Sequence, residues 1–392
     1  MFIHFLCATI TSKVGDSMKL LDKDLLEKNI DAAAQYDFSN NKVFGSAYYV
    51  FQEGNLEYEK CYGNLSLNSS APITNTTLFR LASMTKPITV IATLILVERG
   101  LLSLDDPVSK YIPEFADIHV IHADGKDFGI PQNPPKIRHL LSHCSGIGSN
   151  SIKAAKMQPA DKISTDATIK FMAGLGLDFV PGNAQTYSPV GAYDVLSKII
   201  EIVSQTDFTD FLKKEIFTLC NMVDTTFEPN DEQQKRFVDM HQRQDGQNTV
   251  FSMPEGCMFE DYPKEHHLGG AGLASTLKDY CSFAKMLLNG GRVGDRQLVS
   301  KELFDLIGTP HIPKEIMPGN ERWGFGVRVV TEDTYPYLPV GTWGWSGAYG
   351  PHFWIDHKNK IFAVFMKNSK TDGGGSNESA RNFEKAVYSS LK

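Results

Sequence analysis

Apolar residues recur along this chain with two different periods, and the switch between them outlines its organisation. Leu20, Leu21, Leu25, Leu26 and Ile30 fall at helical spacing and predict an amphipathic helix over about 20–36. Runs rich in β-branched and aromatic residues follow at 45–51 and 56–62, and the polar stretch between them, with Gly54, predicts a hairpin turn. Residues 63–78 are rich in Asn, Ser and Thr and read as loop. A strongly apolar helix over 88–98 ends at Gly100, which sits in the C-cap position. Gly125, Gly129, Pro131, Pro134 and Pro135 mark 117–135 as a long loop or small hairpin. From 136 to 290 the pattern is mostly helical, at 137–143, 165–175, 192–204, 208–218 and 275–288. Strand character returns at 323–330, 343–346, 352–356 and 361–367, and a helix over 377–391 follows. Sheet and helix at both ends of a helical middle predict a sheet domain (18–82 with 291–392) interrupted by a mostly helical domain (83–290).

Composition narrows the partners. The 392 residues carry a formal charge of -7 and no Lys/Arg cluster, which argues against nucleic acid or an anionic membrane as the main partner. Cys7, Cys61, Cys144, Cys220, Cys257 and Cys281 are scattered without a C-x-x-C pair, a pattern that suits core thiols in a reducing compartment. Residues 2–10 are apolar but no Lys or Arg precedes them, and Met18 opens a more convincing start. Residues 1–17 are therefore read as an upstream extension and the protein as cytoplasmic. No later run approaches the ~18 apolar residues of a membrane span, so no membrane anchor is expected.

The candidate chemistry is nucleophilic. Ser83 and Lys86 stand three apart in Leu81-Ala82-Ser83-Met84-Thr85-Lys86-Pro87, a spacing that puts hydroxyl and amine on one helical face. A serine nucleophile needs such a base beside it. The S-x-x-K pattern occurs five times, however, also at Ser39/Lys42, Ser275/Lys278, Ser282/Lys285 and Ser389/Lys392. Pro87 has no N–H for the carbonyl of Ser83, which places Ser83 in the turn leading into the helix. Ser282 lies mid-helix, where a hydroxyl back-bonds its own helix, and Ser275 reads as an N-cap with Asp279 in the first turn. Ser39 falls in a polar turn and Ser389 at a chain end.

Other patterns add little. No G-x-S-x-G elbow exists; Gly344-Trp345-Ser346-Gly347-Ala348 lacks the last glycine. His139 and His143 stand four apart without a third zinc ligand, so packing or hydrogen bonding is the expected role. His266-His267 stays unassigned, and Asp105-Asp106 before Pro107 reads as capping. No metal or organic cofactor is called for.

The order of segments distinguishes Ser83 from the other four serines. Residues 79–86 (FRLASMTK), 104–113 (LDDPVSKYIP) and 139–147 (HLLSHCSGI) are followed by Tyr187-Ser188, by 269–276 (GGAGLAST) and by Trp345-Ser346-Gly347. In that order they resemble the serine β-lactamase-like superfamily of class C β-lactamases, DD-peptidases and family VIII carboxylesterases, over about 25–390. The resemblance implies an α+β fold: an antiparallel sheet flanked by N- and C-terminal helices and interrupted by a mostly helical domain, with the active site between the two. It implies Ser83 as acylated nucleophile, Lys86 held near its neutral form, and Tyr187 as the phenol or phenolate that takes the Ser83 proton and later activates water. The backbone N–H groups of Ser83 and Ala348 would form the oxyanion hole, and the helix N-terminus beneath Ser83 would add partial positive charge.

Two departures redirect the substrate. Tyr187-Ser188-Pro189 stands where β-lactamases have Tyr-x-Asn, so no amide side chain is available there. Trp345-Ser346-Gly347 stands where they have Lys-Thr-Gly, which replaces a carboxylate-binding ammonium with an apolar wall. A lost charge-assisted contact weakens recognition by ~1.5–3 kcal/mol. Trp at this position is similar to family VIII esterases and related acyltransferases. The expected activity is a carboxylesterase acting on small or medium acyl esters, with Trp345, Ser346 and Gly347 lining the pocket. A β-lactamase, DD-peptidase or D-aminopeptidase is the alternative, with Arg328 or another base replacing the missing Lys; a non-catalytic scaffold of the same fold is the second. The partner is a small-molecule ester or amide.

Overall fold

The computed structural model describes residues 18–316, 321–332, 337–375 and 377–392. The proposed extension, 1–17, lies outside the described residues. Helix α1 (Lys23–Ser39) opens at Asp22, whose side chain accepts from Leu25 N–H at 3.0 Å. Strands β1 (Gly45–Gln52) and β2 (Asn55–Gly63) form the predicted hairpin. A short strand β3 (Leu78–Arg80) leads to a 3-10 turn (Ala82–Thr85) and helix α2 (Lys86–Glu98). Helices α3 (Ile137–Leu141), α4 (Thr165–Leu175) and α5 (Gly191–Ser204) occupy the middle.

Strands β4 (Met240–Gln244) and β5 (Gln247–Phe251) are a hairpin inside the stretch read as helical. Its turn is Asp245-Gly246, both at positive φ, the D-G signature of a two-residue hairpin loop. Strand β6 (Ala274–Thr276) pairs β3, and helix α6 (Leu277–Leu288) follows it. Predicted strand 323–330 is two strands, β7 (Glu321–Trp323) and β8 (Arg328–Val330), because Gly326 at φ +69° turns the chain between them. Strands β9 (Trp343–Ser346), β10 (His352–Asp356) and β11 (Ile361–Met366) and helix α7 (Glu378–Tyr388) complete the chain.

The seven-stranded sheet runs β7-β8-β9-β10-β11-β1-β2, every pair antiparallel. Strand alternation gives it two apolar faces. Tyr48 and Val50, opposite Phe365 and Ala363, join Leu26, Ile30 and Phe383 of α1 and α7 in one core. Ala47 and Phe51, opposite Met366 and Phe362, join Phe283 of α6 and the apolar side of α2 in the other. Helix α6 thus covers the sheet although it lies within 83–290. Alternation matters for the site, since Trp345 and Ser346 must point to opposite faces of β9.

Candidate active site

The turn that carries Ser83 is held at its entry by contacts from two distant segments. Asn368, just past β11, clamps Arg80 through its side chain, Oδ1 accepting from N–H at 2.8 Å and Nδ2 donating to the carbonyl at 2.9 Å. Leu81 N–H donates to Leu273 O at 2.9 Å. Ala82 then takes φ +44°, a left-handed conformation that costs a non-glycine residue about 1–3 kcal/mol. It is fully buried, and the fixed neighbours on either side hold it there. The outcome is the predicted placement of Ser83 in the turn before α2, with the Lys86 N–H bonded to the Ser83 carbonyl.

Lys86 is fully buried, and its Nζ lies 2.7 Å from Pro189 O, 2.9 Å from Gly270 O and 3.3 Å from Ser83 Oγ. Burial pulls its pKa below the ordinary lysine value; Tyr187 and Asp194 oppose that. A neutral amine has two hydrogens and one lone pair. With the hydrogens on the two carbonyls, the lone pair is left for Ser83 Oγ. Gly270 suits this cage, because a Cβ there would crowd it, standing 3.0 Å from Lys86 Nζ and 3.1 Å from Pro189 O.

Tyr187 OH donates to Ser83 Oγ at 2.5 Å and accepts from Trp345 Nε1 at 3.3 Å. Lys86 Nζ sits 4.9 Å from the centroid of the Tyr187 ring. Trp323, read from the sequence only as a strand residue, and His143, expected to pack or hydrogen-bond, complete the surround. Trp323 stacks on Tyr187 (5.3 Å, 26°) and meets Trp345 edge-on at 4.3 Å. His143 packs against Tyr187, Tyr193 and Trp323. Its Nδ1 accepts from Ser188 N–H at 3.1 Å, and burial holds the ring neutral. His143 stands at φ +59°, so α3 stops at Leu141 instead of reaching 143, and the spacing to His139 is not a helical i,i+4 pair. Among the described residues no group of three or more His, Cys, Asp or Glu is arranged to hold a metal ion.

The end of β9 closes the site. A Cβ on Gly347 would lie 2.2 Å from Leu81 O, so only glycine lets this strand meet the Ser83 turn. Neither Ser83 nor Ala348 gives its backbone N–H to an acceptor among the described residues. Trp345 faces Tyr187, whereas Ser346 Oγ points to the other face and hydrogen-bonds His352 Nδ1 at 2.7 Å. The hydroxyl of Ser346 therefore lines no pocket beside Ser83. His352 Nε2 continues to Glu384 Oε1 at 3.0 Å, and Arg328 Nη2 reaches the same oxygen at 2.9 Å. Arg328 is spent on this buried cluster under α7 and does not supply the missing cation.

The rival S-x-x-K pairs have other duties. Ser282 Oγ back-bonds Lys278 O at 3.2 Å, as its mid-helix place predicted. Ser275 does not cap α6: Thr276 does, accepting from Asp279 N–H at 3.1 Å, while Ser275 Oγ pairs with Thr225 at 2.7 Å. Ser39 accepts from Gln35, and Lys392 pairs with Asp22. Asp106 caps its own loop through Ser103 N–H at 2.9 Å.

The family model "Beta-lactamase" matches residues 26–386, nearly the whole described fold. The chain belongs to the beta-lactamase family. Among curated members it is similar to Esterase EstB of Burkholderia gladioli, 26% identical over 90% of this chain and 93% of that protein. Protein Rv1367c of Mycobacterium tuberculosis is 29% identical over 82% of this chain and 85% of its own. Among solved structures, "EstCE1, a hydrolase with promiscuous acyltransferase activity" superposes with TM-score 0.80 at 23% identity, over 93% of this chain and 99% of that one. The penicillin-binding protein homologue from Pyrococcus abyssi gives 0.72 at 24%, over 92% of this chain and 76% of that one. These likenesses establish the beta-lactamase fold, with its large antiparallel sheet and flanking helices. Among the described residues no helix is long and apolar enough to cross a membrane.

Proposed function

We propose that this member of the beta-lactamase family is a carboxylesterase that acts on small or medium acyl esters through an acyl-enzyme on Ser83. The observation that carries the reading is the indole N–H of Trp345 on the Tyr187 hydroxyl, in the position where a β-lactamase places an ammonium. An indole holds an acyl or alkoxy group by apolar contact but offers no charge to a substrate carboxylate. The similarity to Esterase EstB over most of both chains supports the same choice.

In acylation the Ser83 proton passes to the Lys86–Tyr187 pair as Oγ attacks the ester carbonyl. The carbonyl oxygen becomes an alkoxide and is met by the free N–H groups of Ser83 and Ala348. The carbon–oxygen bond then breaks, and Tyr187 returns the proton to the departing alcohol. Water, losing a proton to Tyr187, releases the acid and restores Ser83. The test compares p-nitrophenyl butyrate with nitrocefin and a D-amino-acid amide, for the unaltered protein and Ser83→Ala. Ester turnover that vanishes in Ser83→Ala is expected; fast nitrocefin or amide turnover without ester turnover overturns the reading. Fluorophosphonate labelling that persists in Ser282→Ala and disappears in Ser83→Ala separates an enzyme from a scaffold.

A further inference from the structure

The unassigned pair His266-His267 contains a buried charge with a route to Lys86. His266 is 2% exposed and Asp194, in the first turn of α5, is fully buried. His266 Nε2 lies 2.9 Å from Asp194 Oδ2, and Nδ1 lies 2.8 Å from the Lys162 carbonyl. A carbonyl oxygen only accepts, and so does an ionised carboxylate. Both ring nitrogens must then carry hydrogen, which makes the ring an imidazolium. Burial alone lowers the pKa of such a ring, but the Asp194 charge and its hydrogen bond more than reverse that.

The other oxygen of Asp194 accepts from Gly269 N–H at 3.1 Å, and Thr89 of α2 donates to Gly269 O at 2.5 Å. The next residue, Gly270, gives Lys86 its carbonyl at 2.9 Å. Asp194 therefore fixes the turn that cages the amine and also acts on the amine as a charge. Left alone, that charge works against burial and raises the Lys86 pKa. The remaining ionisable neighbours leave Asp194 to His266. Tyr262 meets the imidazole edge-on at 5.4 Å with its pKa driven up by burial and by Asp194. The Lys162 ammonium is bound to Asp261 at 2.7 Å.

We propose that His266 is a positioning residue for Lys86: held as an imidazolium, it neutralises Asp194, so the carboxylate orders the Gly269-Gly270 turn without holding the amine in its protonated form. The link to catalysis rests on Lys86 being part of the base that receives the Ser83 proton. The first measurement needs no substitution. Long-range 1H–15N NMR of the full chain with 15N-His, assigned through the ring contact to Tyr262, is expected to show His266 doubly protonated at pH 7, above the ordinary ~6.5. A singly protonated His266 at pH 7 overturns the proposal.

The second measurement is the pH profile of Ser83 labelling by a fluorophosphonate. In His266→Gln the acid limb is expected to move up by about one pH unit, as an unneutralised carboxylate raises Lys86. His266→Gln with Asp194→Asn is expected to move it back. Equal loss at every pH, worse in the double variant, means a purely structural role and overturns the proposal. Unaltered protein that labels at no pH overturns the base reading of Lys86, while the NMR result still decides the charge of His266.

Discussion

Gly347→Ala tests the join between β9 and the Ser83 turn more sharply than deletion of a reacting group. The new Cβ would stand 2.2 Å from Leu81 O and 2.7 Å from Pro351 Cγ, where real contacts stay beyond 3.0 Å. Leu81 is held by its N–H on Leu273 O, and Pro351 accepts from the Gly347 N–H at 2.8 Å, so neither yields freely. Strand β9 must back away by about 1 Å, and a displacement of that size at reacting groups costs ~10²-fold. The N–H of Ala348 moves with it and no longer meets the same oxygen as the N–H of Ser83. Loss of one oxyanion donor costs ~10²–10³ in turnover. The assay is kcat and KM for p-nitrophenyl butyrate, with circular dichroism and thermal melting to confirm an intact fold. The expected result is kcat down by about two orders of magnitude with KM changed far less. A folded variant within threefold of the unaltered kcat would refute this account of the site.

Trp345→Phe keeps the apolar wall and removes only the N–H on Tyr187, so kcat should fall by about three- to tenfold, in line with ~1 kcal/mol for one hydrogen bond. Nitrocefin turnover should not rise with it. Because burial lowers the Lys86 pKa, the competent neutral amine is present above that pKa and lost below it. Ester turnover should therefore rise with pH through a limb that lies below the ordinary ~10.4 of lysine, as a pH–rate profile will show. Glu384→Gln removes the fully buried carboxylate that Arg328 meets at 2.9 Å and Arg381 at 2.9 Å, and should destabilise the protein by ~3–5 kcal/mol in denaturant unfolding. Ser282→Ala removes only a helix back-bond and should leave stability within ~0.5 kcal/mol and turnover unchanged.

Much of this was legible in one dimension because it is local. Helix and strand periods placed α1, the β1–β2 hairpin, α2, β9, β10, β11 and α7 close to their observed bounds. Pro87 put Ser83 in a turn, for the local reason that a proline has no N–H. Where a conformation depended on distant support, the pattern failed. The helix expected to 143 breaks at the left-handed His143, whose ring packs tilted against Tyr187 of a distant loop. Strand 323–330 breaks at Gly326, and a Cβ there would meet Val90 and Tyr193 at 2.7 and 2.9 Å. The β4–β5 hairpin was a miss of a different kind, since Asp245-Gly246 carried its signal in plain sight.

The sequence by itself determined the order of the elements, the family likeness and the substitution of Trp345 for an ammonium, because each resides in residue type and spacing. Only the tertiary structure decided how those residues act together. It turned Ser346 away to His352, tied Arg328 to Glu384, and brought Pro189 and Gly270 to Lys86 from 103 and 184 residues away. Hydrogen bonds and charge act over a few ångströms of space, and distance along the chain does not encode that separation. Which serine sits beside an amine free to take its proton is settled by packing.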